Sequence, residues 1–199
     1  VYFNFPVIGM VFYPFSWVQP WVLLCVLIFV MLLFFGFNKR KLTVSGVLFG
    51  LLFYSLALIA TALIAFFGWK LLLIIHPQYN DILHGFTYNG YYYIGFFVFL
   101  TLTLCFIIFR KAFNTRNLED LLTAPLLIWL LINIGISFYL KGAGFFIIPV
   151  TVLLIELGIL IFANKKSTLL LFTLLAIPIM FIFIPMIKMF PVGLGLKML

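Results

Sequence analysis

Apolar residues along this chain fall into six long runs, separated by short clusters rich in Lys, Arg, Asn, Pro and Gly. Each run is close to the roughly 20 helical residues needed to cross a hydrocarbon core of about 30 Å. The pattern predicts helices over residues 17–37, 44–69 (with a continuation through 71–75 open), 92–109, 118–139, 145–163 and 169–187. Asn38-Lys39-Arg40-Lys41 ends the first, Arg110-Lys111 the third and Asn164-Lys165-Lys166 the fifth. Lys141-Gly142-Ala143-Gly144 leaves room only for a tight turn between the fourth and fifth, and Pro178 and Pro185 are expected to bend the sixth. No ten-residue alternating segment suggests a barrel strand. The fold class is therefore all-α: a polytopic transmembrane helical bundle of about six helices, forming a single domain over residues 1–199.

Composition supports the same class. The chain has 199 residues, 67% hydrophobic, 20% aromatic and 8% charged, with mean hydropathy +1.35. Soluble domains carry about 45–50% apolar and about 25% charged residues, so a soluble enzyme domain, a disordered tail and a disulfide-stapled secreted module are excluded. A net charge of +8 would suggest nucleic acid in a soluble protein. Here the basic residues sit between membrane runs, where they fix orientation, and the partner they imply is the lipid bilayer rather than nucleic acid. Cys25 and Cys105 lie inside apolar runs and read as small buried hydrophobes.

Orientation follows from the distribution of those charges. The connections after the first, third and fifth helices hold Lys39, Arg40, Lys41, Arg110, Lys111, Arg116, Lys165 and Lys166, whereas the other side has Lys70, Lys141, Lys188 and Lys197. The richer side is expected to be cytoplasmic, which puts both termini outside. The chain opens at Val1 without a signal peptide and closes on Lys197-Met198-Leu199, which reads as a piece of a longer protein cut at least at its N-terminus.

Few residues suggest chemistry. Glu156 lies nine residues before Lys165, about 13 Å along a helix axis. At that depth a carboxylate is expensive, so it reads either as a proton or ion relay or as a protonated group hydrogen-bonded to Asn133 or Thr151. His76, Asp81 and His84 share the external loop, but their spacing matches no zinc pair on a helix face, and a solvated loop is expected instead. In the second helix Gly46-x3-Gly50 continues with Ala57, Thr61 and Ala65, a small-residue spacing that lets backbones approach closely, inside the bundle or at a homodimer seam. Tyr88, Tyr91, Tyr92 and Tyr93 form an interface belt at the start of the third helix. No nucleophile elbow, P-loop or paired carboxylates occur, so neither a catalytic residue nor a metal ligand is assigned.

Two stretches resemble a known family. Val1-Tyr2-Phe3-Asn4-Phe5 with Gly9-Met10-Val11-Phe12-Tyr13-Pro14 is similar to the segment that enters the membrane part of M28-family zinc metallopeptidases of the vacuolar membrane protease and endoplasmic reticulum metallopeptidase type. Tyr139-x2-Gly142-Ala143-x-Phe145-Phe146, followed by Pro149, resembles that family's turn between two membrane helices, and Asn89-Gly90-Tyr91-Tyr92 fits it loosely. Asn4 stands where eukaryotic members more often have Asp, and the compact loops look bacterial. The resemblance implies a periplasmic peptidase domain upstream of Val1, with zinc and its ligands in that domain and no cofactor in this chain. The chain would then anchor and position that domain in a bacterial inner membrane, with a periplasmic N-terminus. Two other readings compete: a channel or transporter-like module using Glu156 and Asn133, and a structural subunit of a membrane complex using the small-residue face of helix two.

Overall fold

The computed structural model describes residues 2–5, 9–82, 86–163 and 168–195. Among them are six helices long and apolar enough to cross a membrane, and the chain is an integral membrane protein. These are α1 (Val18–Asn38), α2 (Val44–Ile75), α3 (Gly90–Phe113), α4 (Leu118–Tyr139), α5 (Ile147–Phe162) and α6 (Thr168–Leu194). Short 3-10 turns occupy Phe15–Trp17, Pro77–Asp81 and Lys141–Phe146. Ahead of them β1 (Tyr2–Phe5) pairs antiparallel with β2 (Gly9–Phe12), Tyr2 opposite Phe12 and Phe5 opposite Gly9. The hydropathy pattern does not reveal this ribbon, because four-residue strands are too short to establish a period.

Most helix ends agree with the sequence pattern, and the differences have local causes. α3 continues through Arg110 and Lys111 to Phe113. Both are good helix formers whose charge suits a helix C-terminus, so they mark where the helix leaves the membrane rather than where it stops. α6 runs past Pro185 and Pro191 to Leu194, and Gly195 then turns left-handed (φ 91) and donates its N–H to the Pro191 carbonyl at 3.0 Å. α5 starts at Ile147 rather than 145, because Lys141–Phe146 wind as a 3-10 turn and not as a tight loop.

The described chain divides into two compact units: residues 1–51 with 116–181, and residues 52–115 with 182–199. In the first, α1 buries Val18, Val22, Cys25, Phe29 and Leu32, while α5 buries Ile147, Val150, Leu154, Leu157 and Ile161. Both sets step alternately by three and four residues, the spacing of a helix seam. Leu126 and Leu130 of α4 join the same core. Lipid is as apolar as these side chains, so close packing rather than exclusion from water holds this core together. Hydroxyls within it are spent locally: Thr123 donates to the Glu119 carbonyl at 2.8 Å and Thr151 to Ile147 at 2.9 Å.

α1 ends in a motif that organises one end of this unit. Arg40 takes a left-handed φ of 55, its N–H donates to Phe37 and the Lys41 N–H to Gly36, both at 3.0 Å. Lys41 then sends its Nζ to the Leu160 carbonyl at 2.8 Å, capping the last turn of α5, while the Lys39 ammonium lies 4.2 Å from the Phe162 ring centre.

The second unit has fewer buried side chains, chiefly Ala57, Ile94, Phe97, Ala112 and Ile182. Gly68 of α2 leaves the space into which the Phe97 ring fits. The Tyr79 hydroxyl meets the Tyr93 hydroxyl at 3.0 Å, pinning the Pro77–Asp81 turn to the start of α3, and its ring lies tilted against His76, 5.0 Å between centres.

Candidate functional site

Asn133 and Glu156 are both buried, as their positions inside apolar helices require. Asn133 spends both amide hydrogens, on the carbonyls of Trp129 and Phe146 at 2.9 Å each. It therefore ties α4 to the end of the 3-10 turn. Phe146 is level with Asn133 and precedes Glu156 by ten residues, about 15 Å of helix. The fold does not bring Asn133 and Glu156 together. The expected hydrogen bond from Asn133 or Thr151 to Glu156 is also missing, since the Thr151 hydroxyl donates to Ile147 one turn back. Glu156 is 7% exposed and has no hydrogen-bond partner among the described residues.

Of the small residues of α2, Gly46 and Gly50 lie against the first turn of α4. Thr43, just before α2, donates its N–H to Asp120 Oδ1 at 2.8 Å and its hydroxyl to Oδ2 at 3.0 Å, and the same hydroxyl accepts the Gly46 N–H at 3.0 Å. Within one helix, a Ser or Thr cap and an acidic residue three positions on share these bonds reciprocally. Here the acid comes from the first turn of α4, and Gly46 stands where the in-helix acid would be. A Cβ on Gly46 would collide with the Asp120 carboxylate, and one on Gly50 would lie 3.0 Å from the Asp120 carbonyl. Further along, Ala57 is buried, Thr61 donates back to the Ala57 carbonyl at 2.9 Å, and Ala65 lines an apolar groove in the second unit.

The turn that carries the family resemblance is also placed. Tyr139 is exposed at the end of α4, Gly142 and Ala143 lie in the 3-10 turn, and Pro149 is buried in the first turn of α5. The Tyr13 hydroxyl donates to the Gly144 carbonyl at 2.8 Å, across 131 residues. Burial pushes the Tyr13 phenol up to about 12, so it stays a neutral donor. Trp129 stacks on Phe146, and a cleft of about 140 Å³ opens beside Ser137, lined by Phe15, Ser16, Val18 and Gln19. Comparison of the chain with family models, with curated proteins and with solved structures finds no match to any of them.

His76 and Asp81 flank the Pro77–Asp81 turn, and His84 lies outside the described residues, as do Lys165 and Lys166. Among the described residues no group of three or more His, Cys, Asp and Glu side chains could hold a metal ion. Three residues with structural roles escaped the sequence reading: Tyr13, Lys41 and Asp120. A Thr one residue before a helix with Gly three positions later was a signal that a carboxylate could come from elsewhere. Tyr13 stood in the segment that resembles the peptidase family and Lys41 in a basic cluster, but nothing in the sequence pointed to the hydrogen bonds they make.

Proposed function

We propose that this chain is the membrane-anchoring domain of a bacterial membrane-bound M28-type zinc peptidase, holding a catalytic domain outside the inner membrane. The observation that supports it is the Tyr13 to Gly144 hydrogen bond. It joins the two segments that carry the resemblance, one from the approach to α1 and the other from the turn between α4 and α5. A domain preceding Val1 would thus be tethered at two points of the helical unit rather than on a single flexible lead. Zinc and its ligands belong to that preceding domain, and no residue of this chain takes part in hydrolysis.

The basic end of the first unit supports a cytoplasmic location for that end. Lys39 and Lys41 sit against the last turn of α5, and Arg116 lies over the Phe49 ring near the start of α2. In this orientation Tyr13 and the turn at Lys141–Phe146 would face the periplasm. Two measurements test the reading. The coding region upstream of Val1 should encode a zinc peptidase domain, and an initiator Met within a few residues of Val1 would overturn the assignment. Single cysteines at positions 40 and 142 should label from the cytoplasm and the periplasm respectively, and the reverse pattern would overturn the orientation.

A further inference from the structure

The second unit contains an apolar groove of about 290 Å³ between α2, α3 and the C-terminal part of α6, with Ala65, Phe97, Leu102 and Phe190 among its walls. We propose that this groove binds one acyl chain of an anionic membrane phospholipid, whose headgroup is held by Lys188.

The groove extends toward a membrane surface. Tyr91, Gly95, Val98 and Leu102 follow one another by three or four residues and form one stripe of α3. A Cβ on Gly95 would meet nothing within 4 Å, and the same holds for Gly193 on α6. Gly95 thus leaves open space on the stripe between the groove at Val98 and Leu102 and the Tyr91 ring. The eleven residues from Tyr91 to Leu102 cover about 16 Å of helix. Half of a hydrocarbon core is about 15 Å, so the stripe from the groove to Tyr91 is about one leaflet long.

Its chemistry changes along that length. Thr101, the hydroxyl residue of the lining, already donates to the Val98 carbonyl at 2.9 Å, so the deep part presents no polar group in need of a partner. At the shallow end the Lys188 ammonium lies 5.5 Å from the Tyr91 ring centre, and both side chains are exposed. The acid of this unit, Asp81, lies in the Pro77–Asp81 turn and makes no ion pair with Lys188. A hydrocarbon tail below a negatively charged headgroup fits this sequence of surfaces. A helix about 10 Å across and of the same length would need roughly four times the volume and could seat only by an edge. Lys70 is the natural control: it is exposed near the same end of α2, but its ammonium rests over Phe66, which is not among the groove residues.

The test is native mass spectrometry of the whole chain released from nanodiscs of equimolar phosphatidylglycerol and phosphatidylcholine. The wild type should retain one phosphatidylglycerol in preference to phosphatidylcholine. Lys188→Gln should lower that preference about fivefold, the factor one basic residue near an anionic surface is worth, whereas Lys70→Gln should leave it unchanged. Gly95→Leu should displace the retained lipid of either kind. Equal retention of the two lipids, or a preference untouched by Lys188→Gln, would reduce the groove to ordinary annular contact and overturn the proposal. A lipid-free dimer that Gly95→Leu dissociates would assign the groove to a second copy instead and overturn it as well. Should Gly95→Leu fail to fold, the comparison of Lys188→Gln with Lys70→Gln decides alone.

Discussion

Thr43 and Asp120 lie 77 residues apart in sequence and hold two hydrogen bonds between them, from the Thr43 N–H and the Thr43 hydroxyl to the two carboxylate oxygens. The start of α2 is thereby capped by the first turn of α4. Asp120→Ala should lower the stability of the detergent-solubilised protein by about 1 kcal/mol, the usual cost of losing a helix cap, because the start of α2 loses its acceptor. Asp120→Asn keeps one acceptor and should cost less. Thermal unfolding of the three proteins in one detergent gives the order, and an Asn variant weaker than Ala would contradict this account.

Gly46 is coupled to the same carboxylate. Gly46→Ala should destabilise by about 1–3 kcal/mol through overpacking. In an Asp120→Ala background the added methyl no longer meets the carboxylate and faces the Thr43 hydroxyl, 2.6 Å from the Cβ position and freed from its acceptor, so its cost should fall. A double-mutant cycle measures that difference. Additive costs would mean that Gly46 matters for some reason other than Asp120.

Tyr13 gives a prediction with a pH window. Its phenol, ordinarily near 10, is raised to about 12 by burial. A group whose folded value is raised contributes stability that is complete below its unfolded value and lost as pH climbs through the folded one. The bond to Gly144 should therefore persist at pH 10 and fail as pH approaches 12. Tyr13→Phe should cost about 1 kcal/mol below that window. In an ultraviolet titration of tyrosinate it should also remove one late-ionising component, and an unchanged titration would refute the burial.

Glu156 has a buried carboxyl and no hydrogen-bond partner among the described residues. Glu156→Gln should leave folding and expression intact. Glu156→Leu should be neutral or stabilising, by up to about 1–3 kcal/mol, because it removes an unpaired polar group from an apolar setting. A marked loss of stability on going to Leu would reveal a partner for this side chain. A proteoliposome flux present in the wild type and absent in Glu156→Gln would favour the transporter reading over the anchor.

Arg40 occupies a left-handed backbone position with φ 55. Such a conformation costs a residue with a Cβ about 1 kcal/mol or more, and glycine very little. Arg40→Gly should therefore raise the midpoint of thermal unfolding, and a lowered midpoint would show that the guanidinium has a structural role of its own.

The helices were legible in the sequence because length and hydropathy alone decide whether a segment can span a membrane. α4 matches at both ends, since Asn117 precedes it and a Gly-containing turn follows. The division into two units was not legible. Phe29, buried in the first unit, and Phe99, exposed on α3, look alike in a hydropathy profile, because lipid and protein interior are equally apolar. The small residues of α2 announced close approach but not the element that approaches. Asp120 illustrates the limit: its role depends on a Thr far away in sequence, and no local pattern contains both.

Lys41 ties two moments in the life of the molecule together. Its charge is one of those that bias which way the first pair of helices enters the bilayer, and its nitrogen afterwards closes the last turn of α5 at the Leu160 carbonyl. If α1 and α2 alone were inverted, Lys41 would lie on one face of the membrane and the Leu160 carbonyl on the other, and the bond could not form. The bond thus links the topology of α1 to the capping of α5. A charge swap at Lys41 would consequently remove the cap of α5 along with a basic charge, and topology and stability will not be separable at this lysine.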